Sequence, residues 1–197
     1  MNAFGFSVLG FFLGSIPFSV WLGRLALRTD IRSYGADQNP GTVNAWRAGK
    51  WQIGLPVLLL DFFKAAMPVG IAQFQFGISG WELVPVALAP VVGHAFSPFL
   101  RFHGGKALAT TFGIWTGLTL AWAPLVLGAC FAIFYSILTP SAWAVVSGML
   151  CLLVYLLLSR AGIVLIAIWI GNMLVLLWRH RRELRSPIRT RPLTAQH

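Results

Sequence analysis

Gly104-Gly105-Lys106 stands directly before an apolar run that opens Ala107-Leu108-Ala109-Thr110-Thr111. Glycines at the start of a helix expose backbone N–H groups at the positive end of the helix dipole, where anions bind. Lys106 adds a movable full charge. The turn is not a P-loop, because the G-x-x-x-x-G-K-[ST] spacing and the preceding strand are both missing. Its chemistry would be capture of a phosphate-type anion. The same residues also read as a tight turn with a lysine held on the cytoplasmic side of a membrane. A second donor-rich stretch is TDIRSYGADQNPGTVNAWRAGKW, Thr29–Trp51. Asn39-Pro40-Gly41 is a turn signal, and Gly35 and Gly41 let several N–H groups point at one spot. Asn44 and Arg47 are spaced i, i+3 and share one face if a helix starts near Thr42. A capped loop leading into an interfacial helix is the alternative reading of this stretch.

Three further ionisable residues, Asp61, Lys64 and His94, lie inside apolar runs. Charge in hydrocarbon is costly, so such groups are functional candidates. Asp61 and Lys64 are also spaced to pair with each other. A structural ion pair tying their span to the bundle is therefore expected, with His94 as a polar support for the loops. The chain has no H-x-x-x-x-D pair, no G-x-S-x-G elbow and no Ser-His-Asp order. Catalysis here would rest on positioning and charge stabilisation more than on an activated nucleophile.

The elements that must carry these residues follow from composition. Of 197 residues, 57% are hydrophobic and only 10% are charged, and mean hydropathy is +0.76. A soluble domain would carry about a quarter charged residues, so an all-α, polytopic membrane protein is expected, forming a single unit over residues 1–197. The apolar runs are 3–27, 53–72, 83–100, 107–120, 121–138, 141–159 and 161–178, which gives about seven transmembrane segments. The run at 107–120 is short for a hydrocarbon core of about 30 Å. Pro124 and Thr139-Pro140-Ser141 mark the turns that divide the later runs. Nothing before Arg24 is charged, so a retained first span is expected in place of a cleaved signal.

With seven spans, one side holds Arg28, Arg32, Arg47, Lys50, Arg101, Lys106 and the tail arginines Arg179, Arg181, Arg182, Arg185, Arg189 and Arg191, while the other holds Arg160. That asymmetry predicts an outside N-terminus and a cytoplasmic C-terminus. The tail from Arg179 to His197 also reads as a stop-transfer anchor drawn to anionic lipid. The net charge of +10 is explained by topology and an anionic ligand, and no nucleic-acid partner is expected. Cys130 and Cys151 lie in apolar runs and read as small buried hydrophobes, with no metal-ligand spacing.

Taken together, five stretches resemble the bacterial membrane-embedded glycerol-3-phosphate acyltransferases that use acyl-phosphate, the PlsY type. They are GSIPFSVWLGR (Gly14–Arg24), DIRSYG with NPGTVNAWR (Asp30–Arg47), LLLDFFKA (Leu58–Ala65), GHAFSPFLRFHGGKALATTFG (Gly93–Gly113) and Arg179-His180. The resemblance implies a seven-span bundle in the bacterial inner membrane, with its active site facing the cytoplasm. It implies acyl transfer from acyl-phosphate to the 1-hydroxyl of glycerol 3-phosphate, giving lysophosphatidic acid for phospholipid synthesis. It implies no metal or other cofactor, the lipid bilayer as surroundings, and a monomer. By position, Lys106, Arg47 and His180 would be catalytic, and Gly104, Gly105, Asn39, Asn44 and Ser141 would bind phosphate.

This chain departs from the family pattern at several places. GSGN becomes GADQN (Gly35–Asn39), Val43 replaces a threonine, GGKG becomes GGKA, and R-H-x-x-N ends in Glu183. A carboxylate at 183 should repel phosphate unless Arg182 or another arginine neutralises it. A relative that kept the anion pocket but binds or transports a lipid or phosphorylated metabolite is the alternative function. A transporter with Asp61, Lys64 and His94 lining a path is a further one.

Overall fold

The computed structural model describes residues 1–191. Among them are the helices α1 (Ala3–Ser15), α2 (Phe18–Leu27), α3 (Thr42–Gly70), α4 (Leu83–Ala95), α5 (Leu108–Thr119), α6 (Trp122–Ile137), α7 (Ser141–Leu158) and α8 (Ile163–His180). All seven apolar runs are helical. Five stretches are long and apolar enough to cross a membrane, namely 3–27, 42–75, 80–100, 141–158 and 163–180. The expected all-α, polytopic architecture is what the chain forms. A small antiparallel pair, β1 (Leu138–Thr139) with β2 (Arg189–Thr190), joins the α6–α7 turn to the tail.

The first apolar run is two helices, because Pro17 cannot donate to the ladder. The break frees backbone carbonyls inside the bundle, and buried side chains from two other helical segments take them up. Ser97 Oγ donates to Ser15 O at 2.5 Å, and Lys64 Nζ donates to Ile16 O at 2.8 Å. Lys64 is also 2.6 Å from Asp61 Oδ1, and His94 Nδ1 stands 3.7 Å from the same oxygen. These three groups thus fasten α3 and α4 to the break in the first run. A buried carbonyl without a donor would be costly, and here the ammonium of Lys64 serves both the carbonyl and Asp61.

α3 is bent. Gly49 and Lys50 have non-helical backbone angles, so a short arm from Thr42 leads into the long apolar stretch. Arg47 and Asn44 ride on that arm, away from the hydrocarbon-facing part of the helix.

α5 is the short run, 12 residues or about 18 Å long. Its residues are mostly buried: Thr110, Thr111, Gly113, Ile114, Trp115, Gly117, Leu118 and Thr119 are all enclosed. Trp115 Nε1 donates to Asn172 Oδ1 at 3.1 Å, and Asn172 Nδ2 donates to Thr111 Oγ1 at 2.9 Å. Those bonds tie α5 to α8. On its other side α5 packs against α3 so closely that a Cβ on Gly113 would lie 2.4 Å from Phe62 O. Gly14 of α1 approaches Pro90 O of α4 in the same way, at 2.2 Å, so the Gly10-x-x-x-Gly14 pattern serves close packing as its spacing implied.

Gly113→Val should therefore push α5 from α3 and cost roughly 2 kcal/mol or more of stability. Gly162→Ala, where a Cβ meets nothing within 4 Å, should stay within about 0.5 kcal/mol of the parent. Thermal unfolding of detergent-solubilised protein checks both; equal midpoints for the two variants would contradict this packing.

Candidate active site

Three segments meet at one end of the bundle: the loop between α2 and α3, the turn before α5, and the start of the tail after α8. Between them lies a cavity of about 860 Å³. One wall is polar and carries Asp37, Asn39, Asn44, Arg47, Lys106, Ser141, His180, Glu183 and Arg191. The other is apolar, with Leu58, Leu108, Phe112, Phe131, Tyr135 and Val145. A ligand with a charged head and a hydrocarbon chain fits such a division.

Six of these polar residues, Asp37, Asn39, Asn44, Arg47, Lys106 and Glu183, form one connected network. Lys106 Nζ is 2.7 Å from Asp37 Oδ2 and also donates to Glu183 Oε1. Asp37 Oδ1 accepts from the Asn39 amide at 3.3 Å and from Asn44 Nδ2 at 3.2 Å. Asn44 also donates to Asn39 O at 3.0 Å, and its own oxygen accepts from Arg47 Nη1 at 3.2 Å. The helix that places Asn44 and Arg47 on one face starts at Thr42, as their spacing required. His180, on the last turn of α8, is buried, and neither ring nitrogen has a hydrogen-bond partner among the described residues. Its Nδ1 stands 3.8 Å from Glu183 Oε2.

These contacts set the charge states. The His180 ring and the Lys106 ammonium hold the Glu183 carboxyl down at about 2, overcoming its burial. Burial opposes the charge on Lys106, but its bonds to Asp37 and Glu183 outweigh that and raise it above the ordinary lysine range. Asp37 is more exposed; what burial it has opposes its charge, but the bonds from Lys106 and Asn44 to its carboxylate outweigh that and lower it. All three groups are therefore ionised at neutral pH.

The structure corrects the reading of Gly104 and Gly105. Neither lines the cavity. The Gly104 amide donates to Ala95 O at 3.2 Å and the Gly105 amide to His94 O at 3.0 Å. Their N–H groups satisfy the end of α4 and are not offered to an anion. Their carbonyls accept from the Arg179 guanidinium, Gly105 O at 2.9 Å from Nε and Gly104 O from Nη2. The glycines are required by close approach: a Cβ on Gly105 would lie 2.1 Å from His94 Nε2, and one on Gly104 would lie 1.9 Å from His94 O. What this packing achieves is the placement of the next residue, Lys106.

The partner of Glu183 is a second correction. The charge that neutralises it is Lys106 and not Arg182 or another arginine. The other expected positions, Asn39, Asn44, Ser141, Arg47, Lys106 and His180, all line the cavity. Sequence reasoning missed Asp37 and Arg191. The tail beyond Arg191, residues 192–197, lies outside the described residues.

With this geometry in view, comparisons with known proteins agree on one family. The model of the glycerol-3-phosphate acyltransferase family matches residues 4–190. Glycerol-3-phosphate acyltransferase 1 of Thermotoga maritima is 39% identical over 164 residues, which is 76% of this chain and 80% of that protein. The glycerol-3-phosphate acyltransferase of an Anaeromyxobacter species is 37% identical over 191 residues, covering 91% of this chain and 90% of its own. Among solved structures, the glycerol 3-phosphate form of PlsY (YgiH), an integral membrane glycerol 3-phosphate acyltransferase, superposes with a TM-score of 0.84. It is 28% identical and aligns over 93% of this chain and 90% of that one. The match runs from the first helix into the tail strand, and the chain belongs to the glycerol-3-phosphate acyltransferase family.

Proposed function

We propose that this protein transfers a fatty acyl group from acyl-phosphate to the 1-hydroxyl of glycerol 3-phosphate, releasing lysophosphatidic acid and phosphate. The observation that carries this reading is the convergence of Arg47, Lys106 and His180 on one cavity that also has an apolar wall. Acyl-phosphate is a mixed anhydride and already activated, so the protein's work is positioning and charge stabilisation. The hydroxyl oxygen attacks the acyl carbonyl carbon, the bond from that carbon to the phosphate oxygen breaks, and the hydroxyl proton leaves with the departing phosphate. Arg47 and Lys106 grip phosphate oxygens, Asn39, Asn44 and Ser141 add polar contacts, and His180 holds the acceptor with a ring nitrogen that has no hydrogen-bond partner among the described residues.

The basic loops Arg28–Gln52 and Arg101–Lys106 and the first part of the tail all gather at the end that holds the cavity. This clustering of cations supports a cytoplasmic site in a bacterial inner membrane, with seven crossings and the N-terminus outside.

In this reading Lys106 must exchange at least one carboxylate for a phosphate oxygen. Purified protein given palmitoyl-phosphate and glycerol 3-phosphate should release phosphate and lysophosphatidate in equal amounts. Absence of both products from folded protein in several lipids would contradict the reaction. Lys106→Ala should cost about a hundredfold or more in kcat/KM, and near-normal turnover would remove its role.

The acid behaviour of Glu183 gives a separate check. Its carboxyl is held at about 2 in the folded protein, below the ordinary 4.5. Its contribution to stability is therefore complete above about pH 4.5 and is drawn down as pH falls towards 2. Between pH 6 and pH 3.5, wild-type protein should lose more unfolding temperature than Glu183→Gln; equal losses would mean the contact with Lys106 is not formed.

A further inference from the structure

Arg191 lines the same cavity but belongs to none of the family stretches named above. It is brought there by the tail. After α8 the chain turns back, and the carbonyl of Ser186 accepts from Trp143 Nε1 at 3.1 Å. Strand β2 then pairs with β1, Leu138 opposite Thr190 and Thr139 opposite Arg189. The Arg191 amide donates to Ile137 O at 2.6 Å. The strap fixes the backbone of Arg191 beside the end of α6, and its guanidinium lies 4.6 Å from the centre of the Tyr135 ring. Its Nε is buried and has no hydrogen-bond partner among the described residues. A planar guanidinium held over an aromatic face and left with an unused donor is prepared for a bidentate anion.

Charge accounting around the cavity points the same way. Lys106 is committed to two carboxylates, Asp37 and Glu183. The proposed reaction brings two phosphates into one cavity, and Arg47 with a shared lysine is little positive charge to receive both. Arg191 is a further cation lining the cavity, and its guanidinium stacks on Tyr135 of the apolar lining. Tyr135, Phe131 and Gly128 line the cavity at helical spacing along α6, with the Phe131 and Tyr135 rings 5.5 Å apart. An acyl chain laid along that face would end at Arg191.

We infer that Arg191 is the phosphate grip for the acyl-phosphate donor, placed at the head of an α6-lined channel by the β1–β2 strap, while Arg47 and Lys106 serve the acceptor. This inference rests on the acyl-phosphate reading above. In the transfer step Arg191 bonds the phosphate that leaves, so it stabilises the charge that grows there as the carbon–oxygen bond breaks. The alkyl chain binds by burial against Phe131 and Tyr135, and the guanidinium supplies the polar end of the match.

The test uses two readouts on the full-length protein in detergent. Arg191→Ala should raise KM for palmitoyl-phosphate about tenfold or more and leave KM for glycerol 3-phosphate within about twofold. Arg191→Lys should recover part of the loss, and Arg185→Ala, an exposed tail charge outside the cavity, should match the parent. Calorimetric titration with hexadecyl phosphate, an unreactive chain with a phosphate head, should show the same order of affinities. Loss of hexadecyl phosphate binding in Arg191→Ala supports the grip even if no acyl transfer is detected, so the two readings can fail separately. Unchanged binding of hexadecyl phosphate in Arg191→Ala, or a loss confined to glycerol 3-phosphate, would overturn it. Unfolding midpoints of both Arg191 variants, expected near the parent's, separate loss of contact from loss of the strap.

Discussion

The cavity depends on one ammonium group. Lys106 lies between Asp37 and Glu183 and so joins three segments that are distant in sequence: the α2–α3 loop, the turn before α5 and the tail after α8. Without that cation two carboxylates would face each other in a partly buried site, at a cost that grows as the surroundings become less polar. With it, the loop carrying Asn39, Asn44 and Arg47 is drawn onto the mouth of the cavity. The same contact compensates the charge of Lys106 within the protein. A phosphate that approaches Lys106 does not meet a bare cation; it competes with carboxylates already in place. Binding energy for substrate is then the difference between two sets of charge-assisted hydrogen bonds, which favours ligands that match the remaining donors geometrically.

The bundle beneath supplies rigidity where this exchange needs it. Lys64 and Asp61 use their charges to repair the break at Pro17, which fixes α3 against the first run and α4. The end of α4 in turn takes the amides of Gly104 and Gly105, and Arg179 takes their carbonyls. The backbone just before Lys106 is thus held from both sides, so the movable part of the lysine is its side chain. α5, which follows directly, is enclosed by α3 and α8 and does not depend on lipid to hold its place. The apolar wall is built on α3, α5, α6 and α7, and the tail strap lands beside it at the α6–α7 turn.

Much of this was legible in the sequence, and the parts that were not share a physical cause. The seven apolar runs announced the helices because hydrocarbon admits few alternatives to backbone self-satisfaction. Asn44 and Arg47 were placed correctly because their i, i+3 spacing is local and the helix start at Thr42 follows from Asn39-Pro40-Gly41. The ion pair of Asp61 with Lys64 is local in the same sense. Gly104 and Gly105 were misread because the direction of an amide depends on what lies opposite, and here that is the end of α4, about ten residues earlier but folded back on the turn. Glu183 looked hostile to phosphate because its partner, Lys106, is 77 residues away. Asp37 and Glu183 are both departures from the family pattern, and only the fold shows that they answer each other through one lysine. Arg191 was read only as one of the tail cations, because a two-residue strand leaves no periodic signal that would bring it to the cavity.

The most direct test of this account is an experimental structure of the protein with glycerol 3-phosphate bound, compared with the same protein without it. The substrate-free form should show Lys106 bonded to both Asp37 and Glu183. In the bound form Lys106 Nζ should lie within hydrogen-bond distance of a phosphate oxygen, with at least one of the two carboxylates released. A phosphate seated elsewhere in the cavity, with both carboxylates still on Lys106, would contradict the exchange on which this account of the site depends.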